Sequence, residues 1–182
     1  MQDMYESVEK IMITEEQIAA RVKELAAQLD RLYEGRRPLV VCILKGSVVF
    51  FADLVRSMKT VMEMDFMAVS SYGNSTVSSR ELTIKKDLTI DIKDRDVLLV
   101  EDIIDSGNTL YHLKKMLIAR QPASLNIVTL LDKPQRREAP IEPEYTGFVI
   151  EDEFVIGYGL DYAEEYRNLP YVGVLKRSVY EK

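Results

Sequence analysis

Two residue types are almost absent from this chain of 182 residues, and each scarcity excludes a class of function. The single cysteine, Cys42, cannot form an internal disulfide, which argues against a disulfide-stabilised secreted domain. The single histidine, His112, excludes a zinc site built on several histidines and a relay that depends on paired histidines. We therefore expect carboxylates, lysines or a metal held by oxygen to carry any chemistry.

Long apolar runs are also missing. The longest, residues 38–44 and 48–55, are far shorter than the ~20 residues that a membrane-spanning helix needs. The first ten residues contain three acids and no apolar core, so we expect no secretory signal. With one cysteine and no signal, the sequence predicts a cytoplasmic protein.

Positive charge is in deficit, because 30 acidic residues against 24 basic ones give a net charge of −6. Binding to nucleic acid or to an anionic membrane surface needs clustered excess cation. We therefore expect no nucleic-acid partner and no membrane partner. The composition, 47% hydrophobic and 30% charged, is typical of a globular protein, and the length predicts a single domain over residues 1–182.

Strand-like and helical segments alternate along the chain. Thr14 and Gln17 form a capping-box pattern ahead of apolar residues at helical spacing, and Gly35 follows where the helix should end. The apolar runs 39–44, 97–100 and 125–131 are typical of strands buried on both faces of a parallel sheet. Helical patterns at residues 48–58 and 109–120 lie between them. The sequence predicts an α/β fold with a mainly parallel sheet.

Three weaker segments complete the prediction. Residues 61–70 are strand-like, with Met64 and Phe66 alternating against Glu63 and Asp65. Three prolines between residues 134 and 143 predict a loop. The irregular last third suggests short strands at residues 148–150, 154–156 and 172–175 in a small appended lobe.

The segment from residue 97 to residue 109 gives the strongest functional signal. An apolar strand leads to Glu101 and Asp102, and a turn containing Asp105 then enters a helix. Ligands bind at the carboxyl ends of strands in open α/β sheets. The turn's N–H groups, its hydroxyls and the positive end of the helix suit a phosphate monoester, whereas neighbouring carboxylates need a hard cation or sugar hydroxyls. These features predict a phosphorylated ribose with Mg²⁺; the plain alternative is an acidic strand end before a capped helix.

This segment resembles the phosphoribosyl-pyrophosphate (PRPP) motif of type I phosphoribosyltransferases. Four further segments, in the expected order, make the chain similar to the hypoxanthine-guanine phosphoribosyltransferases. These are residues 44–47 (pyrophosphate loop), residues 71–73 (start of a mobile lid), Lys133 (purine-reading lysine), and residues 154–162 with Arg167 (base-stacking and second-metal segment). The resemblance implies the type I phosphoribosyltransferase fold, with a twisted parallel sheet flanked by helices and a small hood lobe from the N-terminal segment and residues 145–182.

The resemblance also implies a role for each matching residue. Asp105 accepts the proton of the incoming purine, Phe154 stacks on its ring, and Lys133 donates to its exocyclic oxygen. The implied PRPP and phosphate ligands are Glu101, Asp102, Asp105, Ser106, Gly107, Asn108 and Thr109. The implied pyrophosphate ligands are Lys45, Gly46 and Arg167; the lid residues are Ser71 and Tyr72; the purine-site residues are Lys133, Phe154, Val155 and Asp161; the metal ligands are Glu101, Asp102 and Asp161.

The implied reaction is transfer of 5-phosphoribose from PRPP to hypoxanthine or guanine, giving IMP or GMP and pyrophosphate, with Mg²⁺ as cofactor and an oxocarbenium-like transition state. A homo-dimer or homo-tetramer is implied as well. Two positions depart from some members of the family, which have glycine in place of Ser47 and lysine in place of Asn108. The second departure removes a cation near the phosphate.

Three other functions are compatible with parts of the sequence. A sister phosphoribosyltransferase that prefers xanthine or another base shares the motifs, and a regulator that binds nucleotides or RNA could keep the fold without purine salvage. Lys133, Phe154 and Asp161 favour catalysis over the regulator. A phosphoacceptor receiver domain is suggested by the letters VLLVED at residues 97–102, but that pattern belongs at the start of a receiver and here lies past mid-chain.

Overall fold

The computed structural model describes residues 4–71 and 82–181, which form a six-stranded sheet and a separate three-stranded sheet. Its helices are α1 (Glu15–Leu32), α2 (Val48–Ser57), α3 (Asn108–Ile118) and α4 (Arg177–Tyr180). Its strands are β1 (Val8–Ile13), β2 (Leu39–Leu44), β3 (Glu63–Ser71), β4 (Leu82–Lys86), β5 (Asp96–Ile104), β6 (Ser124–Asp132), β7 (Tyr145–Val149), β8 (Val155–Ile156) and β9 (Val172–Leu175).

The larger sheet has the order β4-β3-β2-β5-β6-β7. Every neighbouring pair is parallel except β3–β4, which is antiparallel at one edge. The predicted mainly parallel α/β fold is therefore confirmed. Because β2, β5 and β6 are mutually parallel, their carboxyl ends meet at one edge of the sheet, where the candidate residues follow each strand.

Two apolar cores cover the two faces of this sheet. Val40 and Cys42 of β2 pack in one core with residues of α1 and α2, whereas Leu39 and Val41 pack in the other with residues of α3. Side chains that alternate along a strand point to opposite faces, so a continuous apolar run is what a strand covered on both sides requires. None of the helices in the described ranges has the length and apolar character needed to cross a bilayer.

The predicted capping box at the start of α1 is confirmed. The backbone N–H of Gln17 donates to Thr14 Oγ1 at 3.3 Å, and the backbone N–H of Thr14 donates to Gln17 Oε1 at 2.8 Å. Two free donors at the helix start are satisfied reciprocally. The helix ends at Leu32, and Gly35 follows with φ +70°.

Acidic and apolar residues alternate along β3, but here the acid Asp65 is buried and its apolar neighbours are exposed, the reverse of a usual amphipathic strand. Asp65 is buried, with 4% of its surface exposed, whereas Met64 is 53% exposed and Phe66 is also exposed. The carboxylate of Asp65 accepts hydrogen bonds from the backbone N–H groups of Phe66 at 2.7 Å, Thr89 at 2.7 Å and Ile90 at 3.2 Å. Burial alone would raise the pKa of Asp65, but these bonds outweigh it and the pKa lies below its usual value.

The small sheet includes fewer residues than the predicted lobe, whose expected start is near residue 145. It is antiparallel, with the order β1-β9-β8, and joins the N-terminal strand to two strands near the C-terminus. Tyr145–Val149, which the sequence placed with the lobe, pairs with β6 and is an edge strand of the main sheet. The predicted start of the lobe near residue 145 is therefore too early, because β7 completes the large sheet. The sequence pattern also did not predict β1 or β4.

Candidate active site

The turn that the sequence predicts to bind phosphate, called the phosphate turn below, follows β5 directly. This strand continues beyond the predicted apolar run 97–100 through Glu101 and Asp102 to Ile104, so both acids are strand residues. The reason is the long register with β6, in which Glu101 faces Thr129 and Ile104 faces Asp132. The turn therefore begins at Asp105, and both acids are held on a rigid element next to it.

Gly107 allows α3 to begin close to the loop after β6. Its φ is +77°, and a Cβ atom there would lie 2.7 Å from Cγ2 of Ile141, so only glycine fits. Among the described residues, no side chain caps α3 at Gly107. The backbone N–H of Asn108 donates to Ser106 Oγ at 3.4 Å, and the N–H groups that follow it at the helix start are open to an anion. The side-chain amide of Asn108 points away from these N–H groups. It donates to Ser106 Oγ at 3.2 Å and to Glu138 Oε2 at 2.7 Å.

Glu101 and Asp102 are adjacent acidic groups in a poorly solvated place. Burial, together with the charge of Asp102, raises the pKa of Glu101 well above its usual value. Burial raises the pKa of Asp102 to about 6, although nearby Arg167 opposes the shift and Asp161 adds to it. Two adjacent carboxyl groups with raised pKa values would gain from a nearby cation. Their chemistry fits a divalent ion with oxygen ligands.

The predicted pyrophosphate residues lie together next to these acids. Lys45 and Gly46 follow β2 across a cis peptide bond between Leu44 and Lys45. A Cβ atom on Gly46 would overlap Oδ2 of Asp102, so the loop backbone lies directly against that carboxylate. A Cβ atom on Gly159, whose φ is +102°, would overlap the carbonyl oxygen of Gly46. The segment around Gly159 therefore packs against the loop.

Arg167 and Lys45 share one acidic partner that the sequence analysis did not identify. Glu164 Oε2 lies 3.1 Å from Lys45 Nζ and 3.2 Å from Arg167 Nη2. Arg167 Nη2 also lies 2.9 Å from Asp161 Oδ1, and its Nη1 donates to the carbonyl oxygen of Gly159 at 2.8 Å. The hydrogen bonds from Lys45 and Arg167 lower the pKa of Glu164. Lys45 and Arg167 thus both contact Glu164, and Arg167 also contacts Asp161, so the structure brings these three implied site residues together.

The predicted purine residues line a cavity of about 540 Å³. Asp102, Asp105, Lys133, Phe154, Val155 and Asp161 all contribute to its wall. Lys133 is only 6% exposed, and its Nζ donates to the carbonyl oxygen of Glu153 at 2.7 Å. The structure therefore brings residues from the ends of β5 and β6 and from the segment around β8 to one concave site.

Phe154 lies at the mouth of this cavity and is 40% exposed. Its ring stacks on Tyr180 of α4, with centroids 5.0 Å apart and planes 23° apart, and meets Tyr162 edge-on at 5.7 Å. Tyr180 also lines the cavity and was not predicted from the sequence. A tyrosine in a short C-terminal helix, 26 positions after Phe154, carries no pattern that could have identified it.

Arg136 and Asp152 are two further wall residues that the sequence analysis missed. Arg136 lies in the predicted proline-containing loop after Lys133, and no local pattern marks it as a site residue. Its neighbour Arg137 pairs with Asp132 and donates to the backbone oxygen of Asp105 at 2.9 Å. Of the two implied lid residues, Tyr72 lies outside the described residues. Ser71 is the last residue of β3, and its side chain is not described.

No three histidine, cysteine, aspartate or glutamate side chains form a ready metal-binding group within residues 4–71 and 82–181. The candidate ligands instead form two groups, Glu101 with Asp102 on β5 and Asp161 beside Arg167. Mg²⁺ typically takes one or two protein carboxylates and completes its shell with water and substrate phosphate oxygens. The residues present therefore fit an ion that arrives with a phosphorylated substrate.

Comparison with known proteins gives consistent matches. Residues 11–163 match the family model described as a phosphoribosyl transferase domain. The hypoxanthine-guanine phosphoribosyltransferase of Bacillus subtilis is 54% identical over 178 residues, which cover 98% of this chain and 99% of that protein. The bifunctional protein TilS/HprT of Listeria innocua is 51% identical over 181 residues, which cover 100% of this chain but only 28% of that protein.

Among solved structures, a hypoxanthine phosphoribosyltransferase from Staphylococcus aureus superimposes with a TM-score of 0.95 at 50% sequence identity. The superposition covers 98% of this chain and 97% of that one. The relationship thus extends over both sheets and over every candidate residue in the described ranges.

Proposed function

The chain belongs to the phosphoribosyl transferase family, and from this membership we propose that it is a purine-salvage enzyme that transfers 5-phosphoribose from PRPP to hypoxanthine or guanine. The observation that carries the proposal is the shared cavity in which Asp102 and Asp105, next to the phosphate turn, face Lys133 and Phe154. A phosphate site, sugar-binding acids and a base pocket are thus adjacent. The relatives at 50–54% identity that cover nearly the whole chain carry the name of this activity.

The reaction breaks the bond between the anomeric carbon of PRPP and the pyrophosphate oxygen, and it forms a bond from that carbon to a purine nitrogen. Positive charge develops on the ribose as the old bond breaks, as in glycoside hydrolysis. In this proposal Glu101 and Asp102 hold the ribose hydroxyls, and the turn from Ser106 to Thr109 holds the 5-phosphate. Lys45 and Arg167 stabilise the leaving pyrophosphate, in exchange for their contacts with Glu164.

Asp105 is the proposed acceptor of the purine's ring proton. Its carboxyl group lines the cavity beside Lys133 and Phe154, so a stacked base lies within its reach. Lys133 is held by the carbonyl oxygen of Glu153 and faces the base edge as a donor. A 6-oxopurine offers an acceptor at this edge, whereas adenine offers a second donor.

Asp161, Glu101 and Asp102 are the proposed ligands of Mg²⁺, which when bound neutralises phosphate charge and favours departure of pyrophosphate. The raised pKa values of Glu101 and Asp102 support a cation at this point. All three are hard oxygen donors, a set that selects Mg²⁺ or Mn²⁺ over softer metals.

Removal of divalent cations is therefore expected to abolish turnover. Excess EDTA should stop product formation, and added MgCl₂ or MnCl₂ in excess of the chelator should restore it. Circular dichroism of the chelated protein should be unchanged, because two apolar cores hold the main sheet. Full activity in the presence of excess EDTA would contradict the proposed ligands.

Phe154→Ala is expected to weaken purine binding by ~1–3 kcal/mol, the usual worth of stacking one base on an aromatic ring. The KM for hypoxanthine should rise while the KM for PRPP changes much less, because the phosphate turn is untouched. Phe66→Ala is the matched control, since it removes another exposed phenyl ring, on β3 and outside the cavity wall. Equal purine affinity in Phe154→Ala and the unaltered protein would show that the base binds elsewhere.

Family membership also supports proposals about the whole molecule. We propose that residues 1–182 act as one domain, that the protein is cytoplasmic, and that it forms a homo-dimer or homo-tetramer without nucleic-acid or membrane partners. Sedimentation at several concentrations tests the assembly, and a monomer at every concentration would contradict it. A xanthine-preferring enzyme and a regulator without salvage activity are not favoured by the names of the relatives.

The direct experiment is an assay of the purified protein with PRPP, MgCl₂ and either hypoxanthine or guanine. We expect IMP or GMP and pyrophosphate in equal amounts. Tight nucleotide binding with no turnover of either base would favour the regulator instead.

A further inference from the structure

Arg136, in the turn after β6, lies against the proposed proton acceptor. Its Nε is 2.6 Å from Oδ1 of Asp105. That oxygen is buried and has no hydrogen-bond partner with good geometry, so the contact is an ion pair. The Asp105 side chain as a whole is nevertheless 44% exposed, so its exposure lies on its other atoms. Oδ2 is therefore the oxygen left to face the cavity.

Asp152 fixes the far side of the same guanidinium group. Nη1 of Arg136 lies 3.2 Å and 3.4 Å from the two oxygens of Asp152. Oδ1 of Asp152 is also 3.6 Å from Nζ of Lys133, the proposed base-reading group. Four alternating charges, those of Asp105, Arg136, Asp152 and Lys133, thus run along one wall of the cavity.

We propose that Arg136 is a positioning residue for the reaction. Arg136 holds Oδ1 of Asp105 so that Oδ2 points to the purine nitrogen. Asp152 contacts both Arg136 and Lys133, and it thereby links Asp105 to the lysine that reads the other edge of the base. The inference rests on the proposed function and adds to it a residue that acts through Asp105. Exposed ion pairs add little to folding stability, so the effect of this pair should appear in the orientation of reacting groups.

A different role for Arg136 would be to shield the carboxylate of Asp105 only until the purine enters. The two roles predict opposite kinetics. A positioning residue lowers kcat when it is removed, since the proton acceptor is then poorly oriented at the moment of reaction. A shield competes with the purine, so its removal would lower the KM for the base and leave kcat unchanged.

The test compares Arg136→Gln, Arg136→Lys and a control, Arg120→Gln, at saturating Mg²⁺ with PRPP and hypoxanthine each varied in turn. Arg120 is a suitable control because it also forms an ion pair near the surface, with Asp87 at 2.8 Å, at the far end of α3 from the turn. We expect Arg136→Gln to lower kcat by ~10–100-fold with little change in the KM for PRPP. Arg136→Lys should recover part of the loss, and Arg120→Gln should resemble the unaltered enzyme.

Chemical rescue and a double variant separate positioning from a merely structural role. Added guanidinium should restore activity to Arg136→Ala at concentrations that do not affect Arg120→Ala. Asp152→Asn should lower kcat less, and adding it to Arg136→Gln should cause little further loss, because both act on one network.

A kcat of Arg136→Gln within about twofold of the unaltered enzyme would overturn the inference, as would a lower purine KM at unchanged kcat. Absence of turnover in the unaltered enzyme would instead contradict the proposed function. The two failures are thus distinguishable within one set of assays.

Discussion

Asp105→Asn is expected to lower kcat by ~10²–10⁴-fold, the usual worth of a positioned proton acceptor. Asparagine keeps the size of the side chain and much of its hydrogen bonding, but it cannot take a proton from the purine. The KM for PRPP should change little, because Ser106, Gly107 and Thr109 are untouched. Steady-state kinetics of the purified variant with both substrates varied gives the two effects separately.

The competing explanation of Asp105 is that it caps the following helix. The structure places the N-cap of α3 at Gly107, two residues later, so the side chain of Asp105 has no capping bond to lose. Thermal unfolding of the variant should therefore match that of the unaltered protein, and PRPP binding measured by calorimetry should survive. A folded Asp105→Asn protein with a nearly normal kcat would show that the proton goes to another group.

Gly46→Ala should lower kcat/KM for PRPP by ~10²-fold, because misplacing catalytic groups by about 1 Å has effects of this size. The added methyl group would overlap Oδ2 of Asp102, whose backbone belongs to β5. Either the pyrophosphate loop moves away from Gly159 or the carboxylate leaves its proposed place beside the ribose. Each movement disturbs a residue proposed to contact PRPP, so PRPP kinetics should suffer more than purine affinity.

Gly35→Ala is the matched control for this variant. Gly35 follows α1 with φ +70°, and a Cβ atom there meets nothing within 4 Å. We expect a stability loss of ~1–2 kcal/mol from the left-handed conformation and no change in kcat. If Gly46→Ala retains the PRPP kinetics of the unaltered enzyme, the close contact between the loop and Asp102 has no role in substrate binding.

The parts of the site that lie within one short segment could be predicted from the sequence. Glu101, Asp102 and Asp105 stand within five residues of one another, and an apolar strand and a helix flank them. Local pattern was therefore sufficient to predict the strand, turn and helix that carry the proposed phosphate site. The parallel sheet was equally predictable, because a strand covered on both faces must be apolar throughout.

The rest depends on partners that are distant in sequence. Burial of Asp65 on β3 depends in part on hydrogen bonds from the backbone around Thr89, 24 positions later. Arg136 is fixed by Asp105 and Asp152, which lie 31 positions before it and 16 after it. No periodicity within a single segment records such pairings, so a basic loop gave no sign that one of its arginines lies against the proposed proton acceptor.

The most direct measurement of the central claim is the ratio of kcat/KM for hypoxanthine to kcat/KM for adenine, with PRPP and Mg²⁺ saturating. Lys133 is buried and held by the carbonyl oxygen of Glu153, and we propose that it presents a donor to the base edge, where hypoxanthine has an oxygen and adenine an amino group. A site built for a hydrogen bond rejects a base that cannot make it by a factor of ~10⁴. We expect a ratio of that order; comparable turnover of adenine and hypoxanthine would contradict the account.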